Sequence, residues 1–220
     1  MELEQRLAEI KRRMAKAAER AGRDPAEVTL IAVTKIFPAS VIRDAYALGL
    51  RDFGENYVQE FEGKLPAVSD LAGARFHLIG HLQANKSRRA AEIFQTVQTV
   101  DSAKLARRLN ADGHVLDVLL EVKLSAEQAK SGAAPEDLAV VLPAVRDCAN
   151  LHLLGLMTMP PWSEDQEQSR PYFRRLRDLA REHGLKHLSM GMSNDFEAAI
   201  EEGATFVRVG TALFGRRPRK

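Results

Sequence analysis

Lys35 closes an apolar run, Val28-Thr29-Leu30-Ile31-Ala32-Val33-Thr34-Lys35, with the β-branched and aliphatic content of a buried strand. An ammonium at the end of such a strand must reach water, find a partner or lose its proton. A poorly solvated lysine titrates well below the usual ~10.4, and a neutral amine can attack a carbonyl and hold it as a Schiff base. The plain alternative is a strand-end lysine that points to solvent. Two further segments, Ser189 to Asp195 and Arg208 to Gly215, carry groups suited to a phosphate. Gly191 and Gly210 let backbone N–H groups approach oxygens, and Ser193 and Thr211 add hydroxyls. A helix starting after Ser193 would add its positive end. Two ordinary turns, where Gly and Ser are common, are the alternative there.

Composition narrows the setting of these residues. The chain has 220 residues, 45% hydrophobic and 28% charged, which places it in the soluble globular class. A net charge of +2 is too small to imply nucleic acid or a membrane surface as partner. The basic C-terminal residues Arg216, Arg217, Arg219 and Lys220 read as a solvated tail. The single Cys148 excludes an internal disulfide and reads as a buried structural thiol. The first 22 residues are charged and amphipathic with no apolar core of a signal peptide, and no run is long enough to span a bilayer. A cytoplasmic protein is therefore expected.

The elements that position the chemistry alternate along the whole chain. A charged amphipathic helix over 2–21 stops at Gly22. Strands are predicted at 28–35, 52–56, 76–80, 96–100, 115–122, 151–159, 188–192 and 206–210. Helices are predicted between them, one with Pro38 at its first position and one started by Pro135 with Glu136 and Asp137 in its first turn. Eight strand–helix repeats in 220 residues, with no linker rich in Gly, Pro or Ser, predict a single α/β domain over 1–220. The predicted fold is a closed (β/α)8 barrel of the TIM type. The G-x-G-x-x-G fingerprint of the rival doubly wound sheet is absent after the first strand.

In such a barrel the C-terminal strand ends form the site, and phosphate commonly binds after strands seven and eight. That puts Lys35 beside the Gly191/Ser193 and Gly210/Thr211 loops. One cofactor joins an amine-reactive aldehyde to a phosphate: pyridoxal 5'-phosphate. Arg208 shares a strand face with Gly210 and could reach the pyridine nitrogen. A guanidinium keeps its proton, so the nitrogen would stay unprotonated and the ring would be a poor electron sink. A rim arginine paired to a carboxylate is the alternative. His77 is either a core histidine or a cofactor-side group. The remaining histidines show no metal-ligand spacing, and the acidic residues Glu164, Asp165 and Glu167 read as a solvated loop.

These motifs, taken in order, resemble the pyridoxal phosphate homeostasis protein (YggS-like) family. AVTK ends at Lys35 and FGEN at Asn56, and FHLIGHLQANK runs from Phe76 to Lys86. EQAKSG spans 127–132, GLMTM starts at Gly155, LSMGMSND at Leu188 and VRVGTALFG at Val207. The resemblance covers nearly the whole chain. It implies a barrel like the N-terminal domain of alanine racemase, with Lys35 as the residue forming the internal aldimine. It further implies that Ser193, Gly210 and Thr211 hold the phosphate and Arg208 faces the pyridine nitrogen, while Asn56, His77 and Met192 line the cofactor. The implied role is storage and delivery of the cofactor without an established reaction, with apo pyridoxal phosphate-dependent enzymes as partners and a monomeric state. A low-activity amino-acid racemase is the alternative. A two-base racemase needs a second acid/base group, and Tyr46, Tyr57 and Tyr172 all fall in helical stretches.

Overall fold

The computed structural model describes residues 2–125 and 131–215. The EQAKSG motif therefore falls mostly outside the described residues, as does the basic C-terminal tail. Eight parallel strands form a closed barrel in chain order, and β8 pairs back to β1. The elements run α1 (Leu3–Arg20), β1 (Thr29–Val33), α2 (Ala39–Ala47), β2 (Asp52–Glu55), α3 (Val58–Lys64), β3 (Arg75–Leu78), α4 (Ser87–Ile93) and β4 (Thr96–Val100). They continue as α5 (Ala103–Asn110), β5 (Leu116–Glu121), α6 (Leu138–Arg146), β6 (Leu151–Met157), α7 (Arg170–Glu182), β7 (His187–Met192), α8 (Phe196–Glu201), β8 (Phe206–Val209) and α9 (Thr211–Phe214). Each predicted strand is present, and the alternation that implied the barrel is its architecture.

Parallel strands covered on one side by helices bury both faces, which explains their nearly continuous apolar character. Their outward side chains meet the helices in one large core containing Ala32, Phe53, Leu78, Val97, Val118, Leu156 and Val207. The barrel interior is divided. Ile31, Leu119, Met157 and Phe206 form a small apolar cluster, while His77, Gln98, Ser189 and Arg208 are buried polar residues. Gly54 is needed inside the barrel: a Cβ there would stand 2.9 Å from Ile79 Cδ1 and 3.0 Å from Ile31 Cγ2.

Three local expectations are corrected. β1 ends at Val33, so Lys35 lies in the following turn rather than in the strand. The last ladder bond is Thr34 N–H to Gly54 O, after which Phe37 N–H turns back to Thr34 O. Pro38 is the N-cap of α2, with extended backbone, rather than its first helical residue. Pro135 opens a single 3-10 turn, and the α-helix proper starts at Leu138. Cys148 is buried, as expected, and its thiol donates to Ala144 O.

Candidate functional site

Lys35 sits in a turn held by buried charges from two neighbouring elements. Thr34 donates its hydroxyl to Glu55 Oε1 at 2.7 Å. Lys64, at the end of α3, donates to Thr34 O at 3.0 Å, Glu55 Oε1 at 2.8 Å and Glu60 Oε1 at 2.6 Å. Glu60 Oε1 also accepts the Ile36 N–H. Both residues flanking Lys35 are thus tied to one ion cluster. Ile36 has φ +70°, a left-handed conformation that is unfavourable for a β-branched residue. Such strain persists only where the surroundings impose it, as this cluster does. Burial pushes the Glu55 carboxyl up, against the opposing pull of Lys64 and Thr34.

The loops after β7 and β8 lie beside this turn, because β8 pairs with β1 and β7 with β8. Ser193 Oγ accepts two backbone N–H groups, from Gly210 at 3.3 Å and Ala212 at 3.2 Å. The two amides thus converge on the Ser193 hydroxyl and tie the β7 loop to the start of α9. Gly191 has φ +89°, and a Cβ there would lie 2.5 Å from Ala199 Cβ, so the loop requires glycine. Asp195 Oδ1 accepts the Met192 N–H at 2.7 Å and closes the turn. Asn194 Nδ2 donates to Ser163 O at 2.6 Å, tying the β7 loop to the loop after β6.

One cavity of about 280 Å³ joins these parts. Lys35, Asn56, Met192, Ser193, Arg208, Gly210 and Thr211 line it, so seven of the eight expected site residues come together. Asn56 carries a buried side-chain oxygen with no partner. Its place is fixed by Gly80, where a Cβ would fall 2.3 Å from Asn56 O.

His77 is the expected residue that does not reach the cavity. It is buried deeper in the barrel, with Nε2 2.9 Å from Asp52 Oδ1 and Nδ1 3.2 Å from Gln98 Nε2. Both ring nitrogens are used by the protein. Arg208 is also buried, but it lines the cavity. Its Nη1 donates to Ser189 Oγ at 2.6 Å and its Nη2 to Thr158 O at 2.9 Å. Burial pulls the guanidinium down to about 10, which Asp195 and Glu121 partly oppose through space, and it remains a cation at neutral pH. The rim alternative, an arginine paired to a carboxylate, is therefore set aside: both of its hydrogen-bond acceptors are neutral.

Three residues that organise the site escaped sequence reading. Glu60 and Lys64, which with Glu55 hold the Lys35 turn, look like ordinary charges on an exposed helix. Gln98, which meets Ser189, looks like a polar residue in an apolar strand. A polar residue inside a fully buried strand was the one available signal. Arg89 of α4 is paired with Glu62 and Glu92 at 2.8 and 2.7 Å.

The fold and the lysine at its mouth define a barrel of the alanine racemase N-terminal domain type. The model of that family, described as "Alanine racemase, N-terminal domain", matches residues 5–218. The chain is 49% identical to the pyridoxal phosphate homeostasis protein of Pseudomonas aeruginosa, over 96% of this chain and 94% of that protein. It is 44% identical to the protein of the same name from Aquifex aeolicus, over 97% of each. This chain belongs to the pyridoxal phosphate homeostasis protein family. Among solved structures, PipY of Synechococcus elongatus with PLP bound superposes with a TM-score of 0.86 at 38% identity, covering 97% of this chain and all of that one. Alanine racemase from Corynebacterium glutamicum, at 20% identity and TM-score 0.69, shares the barrel fold, and the match spans 61% of its length.

Proposed function

We propose that this chain binds pyridoxal 5'-phosphate at the barrel mouth, holds it covalently through Lys35, and stores and delivers it as a carrier rather than a catalyst. The observation that carries this reading is the single cavity where a clamped lysine, Ser193 and Thr211, and a buried guanidinium meet. The residues present fit the group. Ser193 and Thr211, with the backbone around Gly210, suit the phosphate. Arg208 suits the ring nitrogen, and the unpartnered oxygen of Asn56 offers a further polar contact. When bound, the cofactor supplies an aldehyde able to bond reversibly with amines.

The residues then divide the work. The Glu55–Lys64–Glu60 cluster aims Lys35 by fixing the backbone on both sides of it. Arg208 stays protonated and donates, so a ring nitrogen facing it remains an acceptor and the site favours holding over carbanion chemistry. A two-base racemisation needs a second proton-transfer group. Among the described residues no tyrosine lines the cavity, which supports the carrier reading. Apo pyridoxal phosphate-dependent enzymes are the proposed recipients, the protein acts as a monomer, and it works in the cytoplasm. No helix among the described residues is long and apolar enough to cross a membrane.

The test is a transfer assay. Loaded protein is mixed with an apo-enzyme and the recovery of its activity is compared with that from an equal concentration of free cofactor. Faster recovery from the loaded protein is expected. A protein that neither retains the cofactor nor outpaces the free compound rules the carrier role out.

A further inference from the structure

A chain of buried hydrogen bonds runs from the cavity through the barrel interior, and its direction is fixed by chemistry. A guanidinium only donates, so Arg208 Nη1 gives its proton to Ser189 Oγ at 2.6 Å. The Ser189 hydroxyl proton is then directed to Gln98 Oε1 at 2.6 Å. That orients the amide, whose NH2 group faces His77 Nδ1 at 3.2 Å. Nδ1 therefore accepts, and the proton on Nε2 points to Asp52 Oδ1 at 2.9 Å. Burial pushes the Asp52 carboxyl up, but the His77 hydrogen bond and the charge and hydrogen bond of Arg75 outweigh it and hold Asp52 below the usual carboxylate range. Arg75 meets the same oxygen at 2.7 Å from the barrel's far rim. Five strands, β8, β7, β4, β3 and β2, each contribute one residue.

We propose that Ser189, Gln98, His77 and Asp52 are positioning residues that fix the Arg208 guanidinium as an oriented donor toward the ring nitrogen of the bound cofactor. This rests on the reading of the cavity as a pyridoxal phosphate site. A buried cation with only neutral direct acceptors is costly. A carboxylate placed against the guanidinium would remove that cost, but it would also compete for the donors that the ring nitrogen needs. The chain separates the two demands. It ends on a carboxylate at the opposite end of the barrel and conveys polarisation through three neutral side chains. Arg208 keeps its charge and its orientation, and its cavity-facing donors stay available. The same chain gives His77 a role without contact to the ligand.

The discriminating experiment compares pyridoxal phosphate with its 1-deaza analogue, in which C–H replaces the ring nitrogen. Equilibrium affinities are read from the quenching of Trp162, the sole tryptophan, which lies on the cavity rim. Melting temperatures of the cofactor-free variants are measured in parallel. Wild-type protein is expected to prefer the natural compound by roughly tenfold, the size of one charge-assisted hydrogen bond. Arg208→Leu should bring the ratio to about one. Ser189→Ala and Gln98→Leu should lower it to within about threefold, because Arg208 loses its orientation while remaining present. Ser189→Thr, which keeps the hydroxyl, should retain the wild-type ratio. If Ser189→Ala and Gln98→Leu lower only the melting temperature and keep the full ratio, the chain is merely structural and the proposal is overturned. Equal wild-type affinity for both compounds overturns the proposal but leaves the cofactor site standing. Uptake of neither compound overturns both.

Discussion

Replacing Lys64 with Met removes the cation that links Glu55, Glu60 and the Thr34 carbonyl, while keeping most of the side-chain volume. Glu55 is fully buried, so the variant leaves a carboxylate in the interior with only Thr34 to answer it. Breaking a buried ion pair by deleting one partner costs about 3–5 kcal/mol. For a chain of this size each kcal/mol moves the melting temperature by about 2–4 °C, so a drop of roughly 10 °C is expected at neutral pH. The loss should depend on pH in a defined direction. Burial already pushes the Glu55 carboxyl up, and the variant removes the Lys64 charge that opposes the rise. The folded variant then binds a proton that the unfolded chain has released. Stability therefore falls as pH rises above the ordinary value of 4.5, and the deficit against wild type is larger at pH 8 than at pH 5. Calorimetric unfolding at the two pH values measures this, and cofactor titration of the same samples reports the looser Lys35 turn as weaker binding. A deficit that is equal at both pH values, or larger at pH 5, would refute the clamp.

Two further substitutions probe the mouth. Gly191→Ala places a Cβ 2.5 Å from Ala199 Cβ at φ +89°. It should weaken cofactor affinity by about tenfold or more by displacing the Ser193 loop. Gly63→Ala, with open space around it, is the matched control and should be neutral or slightly stabilising. Burial pushes the Glu121 carboxyl up to about 7, with Arg208 pulling the other way. Its contribution to stability is thus full below about pH 4.5 and is lost as pH rises toward 7. Glu121→Gln should match wild type at pH 4 and exceed it at pH 8, by on the order of 3 kcal/mol in denaturant unfolding.

The parts of this fold written in local pattern were legible from the chain. Strands such as Leu116–Glu121 are apolar because both faces are covered, and Ser193 and Gly210, expected at the mouth after β7 and β8, line the cavity there. What was not legible depends on contacts far apart in sequence. The run Val28–Lys35 looks like one strand, yet it breaks at Val33 because Lys64 and Glu60, about thirty residues on, bind the backbone around Lys35. His77 has the right strand and the right inward face. Its depth below the cavity is set by Asp52 and Gln98, each from a neighbouring strand. Residue type marked these positions as polar and buried, but only the closed barrel decides whether such a group meets ligand or another side chain.

The covalent role of Lys35 is tested most directly by borohydride reduction of the cofactor-loaded protein, followed by peptide mass spectrometry beside Lys35→Ala. The mass of the reduced cofactor is expected on the peptide containing Lys35, with none fixed in the variant. A cofactor fixed on another lysine, or labelling of Lys35→Ala equal to wild type, would contradict the assignment of Lys35 as the anchor.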